Sequence, residues 1–92
     1  MKMERKEILA KVKEIVIETI DVDDNPESVK ETSRLKEDLG GDSLDAAEVA
    51  IGLDKQFGIN TSAEDINRIY AGTVNDVVDL VVEYLQKKEG KK

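Results

Sequence analysis

Glu37-Asp38-Leu39-Gly40-Gly41-Asp42-Ser43-Leu44-Asp45 reads as a turn that hands over to a helix. Paired glycines reach backbone conformations closed to other residues, so the turn belongs at Gly40-Gly41. Asp42 then falls at the N-cap and Asp45 at the third helical position, both near the positive end of the helix dipole. Ser43 becomes the first helical residue, with its hydroxyl outside the packed face. Backbone N–H groups without helical partners point toward that position. A serine so placed is suited to carry a phosphate ester.

The helix that follows is predicted over residues 43–57, ending at Gly58. At about 100° per residue, Ala46, Val49, Ala50, Leu53 and Phe57 share one broad face, enough to pack it on its neighbours. Leu44, Ala47 and Ile51 form a second stripe that so small a protein cannot easily bury as well. Asp45, Glu48 and Asp54 flank that stripe. An apolar strip rimmed by acids has the character of a protein-docking surface. The plainer alternative is that Leu44 and Ile51 tuck under a loop. Gly52, mid-helix, costs about 1 kcal/mol relative to alanine, which implies either close packing or local flexibility.

Upstream, Ile8, Val12, Ile15 and Thr19 repeat at helical spacing with Leu9, Val16 and Ile20 beside them, predicting a helix over residues 4–20. Glu7 and Lys11 stand at the favourable i,i+4 spacing. Periodicity then stops from Asp21 to Gly41, a long loop for which Val22, Val29, Leu35 and Leu39 are the candidate anchors. A short third helix fits from Ser62 or Ala63 to Ile69. Thr73 can cap a fourth, in which Val74, Val77, Val78, Val81 and Leu85 recur at three and four. The expected fold is all-α: a small four-helix bundle, three helices longer and one short, with a long loop between the first two. Residues 1–92 read as one domain, with a core over about 6–86 and a basic tail over 87–92.

Composition narrows the chemistry. The 92 residues contain no cysteine, which removes disulfides, thiolate metal sites and a protein thiol nucleophile. They contain no histidine either, so the usual general base is missing. Ser43 therefore has no partner for nucleophilic catalysis, and no Gly-x-Ser-x-Gly elbow surrounds it. Net charge is −7, and residues 14–54 hold thirteen acids against only Lys30, Arg34 and Lys36. Such a field repels nucleic acid and anionic membrane and attracts basic protein surfaces. No leader-like segment or membrane-length apolar run is present, so a cytoplasmic location is expected. Asp21-Val22-Asp23-Asp24-Asn25 copies the start of an EF-hand loop, but Pro26 replaces the glycine needed at position 6 and Thr32 the glutamate at position 12. Asn60-Thr61-Ser62 fits a glycosylation pattern without an export signal. No metal site is expected.

Asp42-Ser43-Leu44, preceded by Leu39-Gly40 and one small residue and followed by Leu53 and Phe57, resembles the signature of the acyl carrier protein family. The likeness spans about residues 6–86. It implies that Ser43 receives a 4'-phosphopantetheine arm from coenzyme A, whose thiol carries acyl groups as thioesters. The domain itself would be no enzyme. Leu44, Glu48, Ile51 and Asp54 match the family's partner-contacting positions, Asp42 the acid that guides a phosphopantetheinyl transferase, and Asp45 the acid three residues on. Implied partners are that transferase and then acyl-loading, condensing and acyl-transferring enzymes with basic surfaces, met by a monomer. The family holds short acyl chains beneath the second and third helices, where Ala46, Ala50, Leu53, Ile59 and Ile69 are the candidate lining. Small residues at 46 and 50 are compatible with a pocket or with tight packing. Lys55 and Gln56 stand where many fatty-acid carriers have acids, and the loops on either side of the short helix depart from the usual lengths. Housekeeping fatty-acid synthesis and a dedicated pathway both remain open, as do an aminoacyl or peptidyl carrier and an unmodified acidic adaptor.

Overall fold

In the computed structural model, which describes residues 4–20 and 29–90, four helices follow one another: α1 (Arg5–Ile20), α2 (Ser43–Phe57), α3 (Ala63–Ala71) and α4 (Val74–Gly90). There is no strand among the described residues, only an isolated antiparallel bridge between Arg34 and Thr73. α1 packs on α2 and α4, while α3 lies against α2 and, less extensively, α4. The all-α bundle expected from the periodicity is the observed fold. Val22 and the Asp21–Asn25 run lie outside the described residues.

The core is aliphatic because almost nothing else is available: aromatics make up 3% of the chain. Ile8, Val12 and Val16 of α1 are buried against Val49 and Leu53 of α2, Ile69 of α3, and Val74, Val77, Val78, Leu80 and Val81 of α4 in one cluster. Ile15, expected on the same line as Ile8 and Val12, is only half-buried, since it lies over α2 at Gly52. A Cβ built on Gly52 would come within 2.9 Å of Ile15 Cγ2. Close approach of α1 to α2 therefore accounts for the glycine.

Two details differ from the pattern read in the sequence. Glu7 does not form an ion pair with Lys11 among the described residues; its Oε1 accepts the Glu4 N–H at 3.2 Å, which helps to start α1. α3 also runs two residues past Ile69, to Ala71. It stops at Gly72, where a Cβ would fall 2.8 Å from the Arg68 carbonyl and 2.7 Å from Asp76 Oδ2.

The second half of the long loop is fastened to the start of α4. Val29 and Leu35 are buried, and Leu39 is half-buried against the same cluster. The Val74 N–H donates to the Ser33 carbonyl at 2.9 Å, and the Asn75 N–H to the Glu31 carbonyl at 2.8 Å. Thr73 Oγ1 accepts the Asp76 N–H, and Asp76 Oδ2 accepts the Thr73 N–H. The N–H groups that a helix leaves unpaired at its start are thus taken up by the loop and the cap. In return the Leu35 N–H donates to the Gly72 carbonyl, and the Gly41 N–H to the Leu35 carbonyl at 2.7 Å. This chain of bonds connects the α3–α4 turn to the residue two before Ser43.

Candidate functional site

Gly40 adopts a left-handed φ of 74°, and Gly41 fits where a Cβ would meet Ile20 Cδ1 at 3.1 Å and the Leu35 carbonyl at 3.2 Å. The first turns the chain and the second seats it against α1. Asp42 follows in extended conformation (φ −111°, ψ −174°) as the N-cap. Its Oδ1 accepts the Asp45 N–H at 2.9 Å, while Asp45 Oδ2 accepts the Asp42 N–H at 3.0 Å. This reciprocal pair fixes the first turn of α2.

Ser43 opens the helix and is exposed. No other described residue accepts the Ser43 or Leu44 N–H, whereas the corresponding two N–H groups of α4 are covered by loop carbonyls. α3 is also open at its first two positions, but there the first residue is Ala63, which has no hydroxyl. At α3 the exposed Ser62 hydroxyl is the N-cap and accepts the Asp65 N–H, so only at α2, among the described helices, does the first helical residue carry an exposed hydroxyl at an uncovered start. Such a start favours an anionic phosphate ester. The residues present thus fit a phosphopantetheine linkage.

Leu44 is 66% and Ile51 54% exposed, the two large apolar side chains that α2 leaves in solvent. Ala47, between them, is half-buried, and Glu48 is exposed without a hydrogen bond or ion pair to another described residue. Neither Leu44 nor Ile51 is tucked under the described part of the long loop. Asp54 is placed differently. Its half-buried carboxylate accepts the Thr61 N–H at 2.9 Å and the Thr61 hydroxyl at 3.3 Å, holding the α2–α3 connection. Of the three acids expected to flank the strip, Asp45 caps α2 together with Asp42 and Asp54 holds a loop, which leaves Glu48 free.

Ala46, Ala50, Leu53, Ile59 and Ile69 come together in the buried cluster, each no more than 7% exposed. The arrangement is apolar and closed.

The described part of the chain also contains a site that sequence periodicity did not single out. Asp65 is buried in the first turn of α3, where it forms a second capping box with Ser62 at 2.9 and 3.2 Å. Its Oδ2 also accepts the Tyr84 hydroxyl of α4, and Arg68 stands 4.0 Å away. Burial pushes this carboxyl up, but the hydrogen bonds from Tyr84 and Ser62, with Arg68, outweigh it and hold the carboxyl below the usual range. The same bond, with burial, raises the Tyr84 hydroxyl. Ser62-Ala63-Glu64-Asp65 was readable as a capping box. Tyr84, nineteen residues on, carries no local signal of its partner.

Residues 10–81 match the family described as a phosphopantetheine attachment site. The chain belongs to the phosphopantetheine-binding acyl carrier protein family. It is 46% identical over 67 residues to the acyl carrier protein of Wolinella succinogenes, covering 73% of this chain and 83% of that protein. It is 37% identical over 86 residues to that of Thermotoga maritima, covering 94% and 96%. A chloroplastic acyl carrier protein of Brassica napus is 36% identical over 85 residues, covering 92% of this chain and 60% of its own. The carrier is thus a phosphopantetheine-bearing protein rather than a catalyst. No described helix of it is long and apolar enough to cross a membrane.

Proposed function

We propose that Ser43 is the residue that bears the 4'-phosphopantetheine, and that α2 presents the loaded arm to partner enzymes. What supports this is the exposed hydroxyl at the uncovered start of α2, inside the matched region and between two capping aspartates. The prosthetic group supplies the thiol that this chain lacks. The chain's own contributions are to hold Ser43 outside the core, to leave the Ser43 and Leu44 N–H groups facing the ester, and to offer Leu44, Ile51 and Glu48 beside it. A phosphopantetheinyl transferase attaches the arm, and acyl-loading, condensing and acyl-transferring enzymes then use it.

Charge supports basic partner surfaces: the net charge is −7, and Glu48 stands free next to the apolar strip. The buried cluster of Ala46, Ala50, Leu53, Ile59 and Ile69 is where a short acyl chain would be sheltered, by displacement of packed side chains. The cargo is an acyl group of fatty-acid, lipid or polyketide-type synthesis, handled by a monomeric cytoplasmic domain spanning residues 1–92. Replacing Ser43 by alanine tests the assignment. Acyl loading should be abolished while the helical circular dichroism and the melting temperature stay unchanged. Undiminished loading of that variant would refute it.

A further inference from the structure

Three of the described helices start with a reciprocal cap that places an aspartate at the third position: Asp45, Asp65 and Asp76. Local capping explains Asp45 and Asp76, since neither accepts a hydrogen bond from another helix among the described residues and Asp76 is exposed. Asp65 is different. It is buried, 7% exposed, and takes a donor from another helix, the Tyr84 hydroxyl of α4. Beside it Arg68 Nη1 reaches Glu83 Oε1 at 3.4 Å, a second side-chain link between the same two helices.

α3 is the element for which such links matter most. It is nine residues long, too short to be stable by itself. Gly58, in left-handed conformation, precedes its lead-in, and Gly72 ends it. Ile69 is its one buried apolar residue. The helix lies broadly against α2, and its interface with α4 is the narrower of the two. Displacing α3 uncovers one buried apolar side chain, against three for α1 and five for α2, so it is the least disruptive way to open the cluster of Leu53, Ile59 and Ile69, and the Asp65–Tyr84 bond opposes that displacement.

We propose that Tyr84 is a positioning residue that sets how readily α3 lifts to admit acyl cargo, and therefore which chain lengths the domain shelters. This rests on the carrier reading with Ser43 as attachment point. The clasp acts on the opening of α3, while the thioester chemistry occurs elsewhere. Removing it leaves the caps of α2 and α4 intact.

The test uses the full chain with Tyr84→Phe, which keeps the ring in place and deletes only the hydroxyl, and Arg68→Gln as a second variant that keeps the Tyr84 bond. Amide hydrogen exchange of the unmodified protein is read first. In Tyr84→Phe the amides of residues 66–70 should exchange about tenfold faster, the scale of losing one hydrogen bond to a carboxylate, with α1 and α2 amides unchanged; Arg68→Gln, which loses an exposed ion pair, should change them less. Butyryl and octanoyl forms are then prepared from the corresponding coenzyme A thioesters and treated with hydroxylamine. The octanoyl thioester should last several-fold longer in Tyr84→Phe than in the parent, and the butyryl thioester equally long in both. Unchanged exchange at 66–70, faster exchange throughout the bundle, or the same change for both chain lengths would overturn the proposal. Failure of either form to load would refute the carrier reading separately, since the exchange measurement needs no arm.

Discussion

Gly52→Ala should destabilise this protein even though alanine is the better helix former. The substitution gains about 1 kcal/mol in intrinsic propensity inside α2. Against that, the new Cβ would lie 2.9 Å from Ile15 Cγ2, a distance real Cβ contacts essentially never show. Cγ2 belongs to a β-branched side chain whose rotamer is nearly fixed in a helix, so the contact cannot be relieved by swinging a flexible tip away. α1 and α2 must separate, and overpacking of this kind costs about 1–3 kcal/mol. The difference is a net loss of roughly 0–2 kcal/mol, or a fall in melting temperature of roughly 4–8 °C for each kcal/mol in a domain of this size. Thermal and urea unfolding followed at 222 nm read this directly. The stronger form of the prediction is a change of sign. In an Ile15→Ala background the obstructing methyl is gone, and Gly52→Ala should then stabilise by about 1 kcal/mol. An equal effect in both backgrounds, or stabilisation of the parent, would refute the close-packing account of Gly52.

Glu48→Lys should slow reaction with partner enzymes, with the defect shrinking as salt screens it, and leave stability within about 0.5 kcal/mol. Asp54→Lys should instead lower stability by about 1–3 kcal/mol, because it strips the Thr61 N–H and hydroxyl of their acceptor; comparable stability of the two variants would contradict that division. Leu44→Asp should weaken partner binding without altering the fold, measured by kcat/KM of a partner enzyme alongside circular dichroism. Since the folded pKa of Asp65 is lowered, its contribution to stability is present above its ordinary value of 3.8 and is lost as pH falls below that value through the folded pKa. Tyr84→Phe should flatten this acid-limb dependence, as read from urea midpoints between pH 5 and pH 2, and an unchanged slope would count against the clasp.

Much of the fold was legible because its signals are local. The 3.6-residue spacing of Ile8, Val12 and Val16, and of Val74, Val77, Val78 and Val81, decides which faces are buried. Gly40, through its left-handed backbone, and Asp42, through its side-chain cap, fix the start of α2 locally. Leu44 and Ile51 could be read as exposed because α2 has too many apolar residues for one small core. What was not legible depends on contacts between distant residues. Asp54 has the composition of a docking acid, yet Thr61 draws it into a loop. The reason for Gly52 becomes visible only when Ile15 is placed above it. Likewise, nothing near Tyr84 in sequence indicates that its hydroxyl meets Asp65.

The central claim is that Ser43 bears the arm, and intact mass spectrometry tests it most directly. The protein is incubated with coenzyme A and a promiscuous phosphopantetheinyl transferase, beside the Ser43→Ala variant, and the product is fragmented to locate the added mass. The account predicts the gain of one phosphopantetheine on the parent, on the fragment containing Ser43, and none on the variant. A gain on both proteins, or on neither while both remain folded, would contradict it.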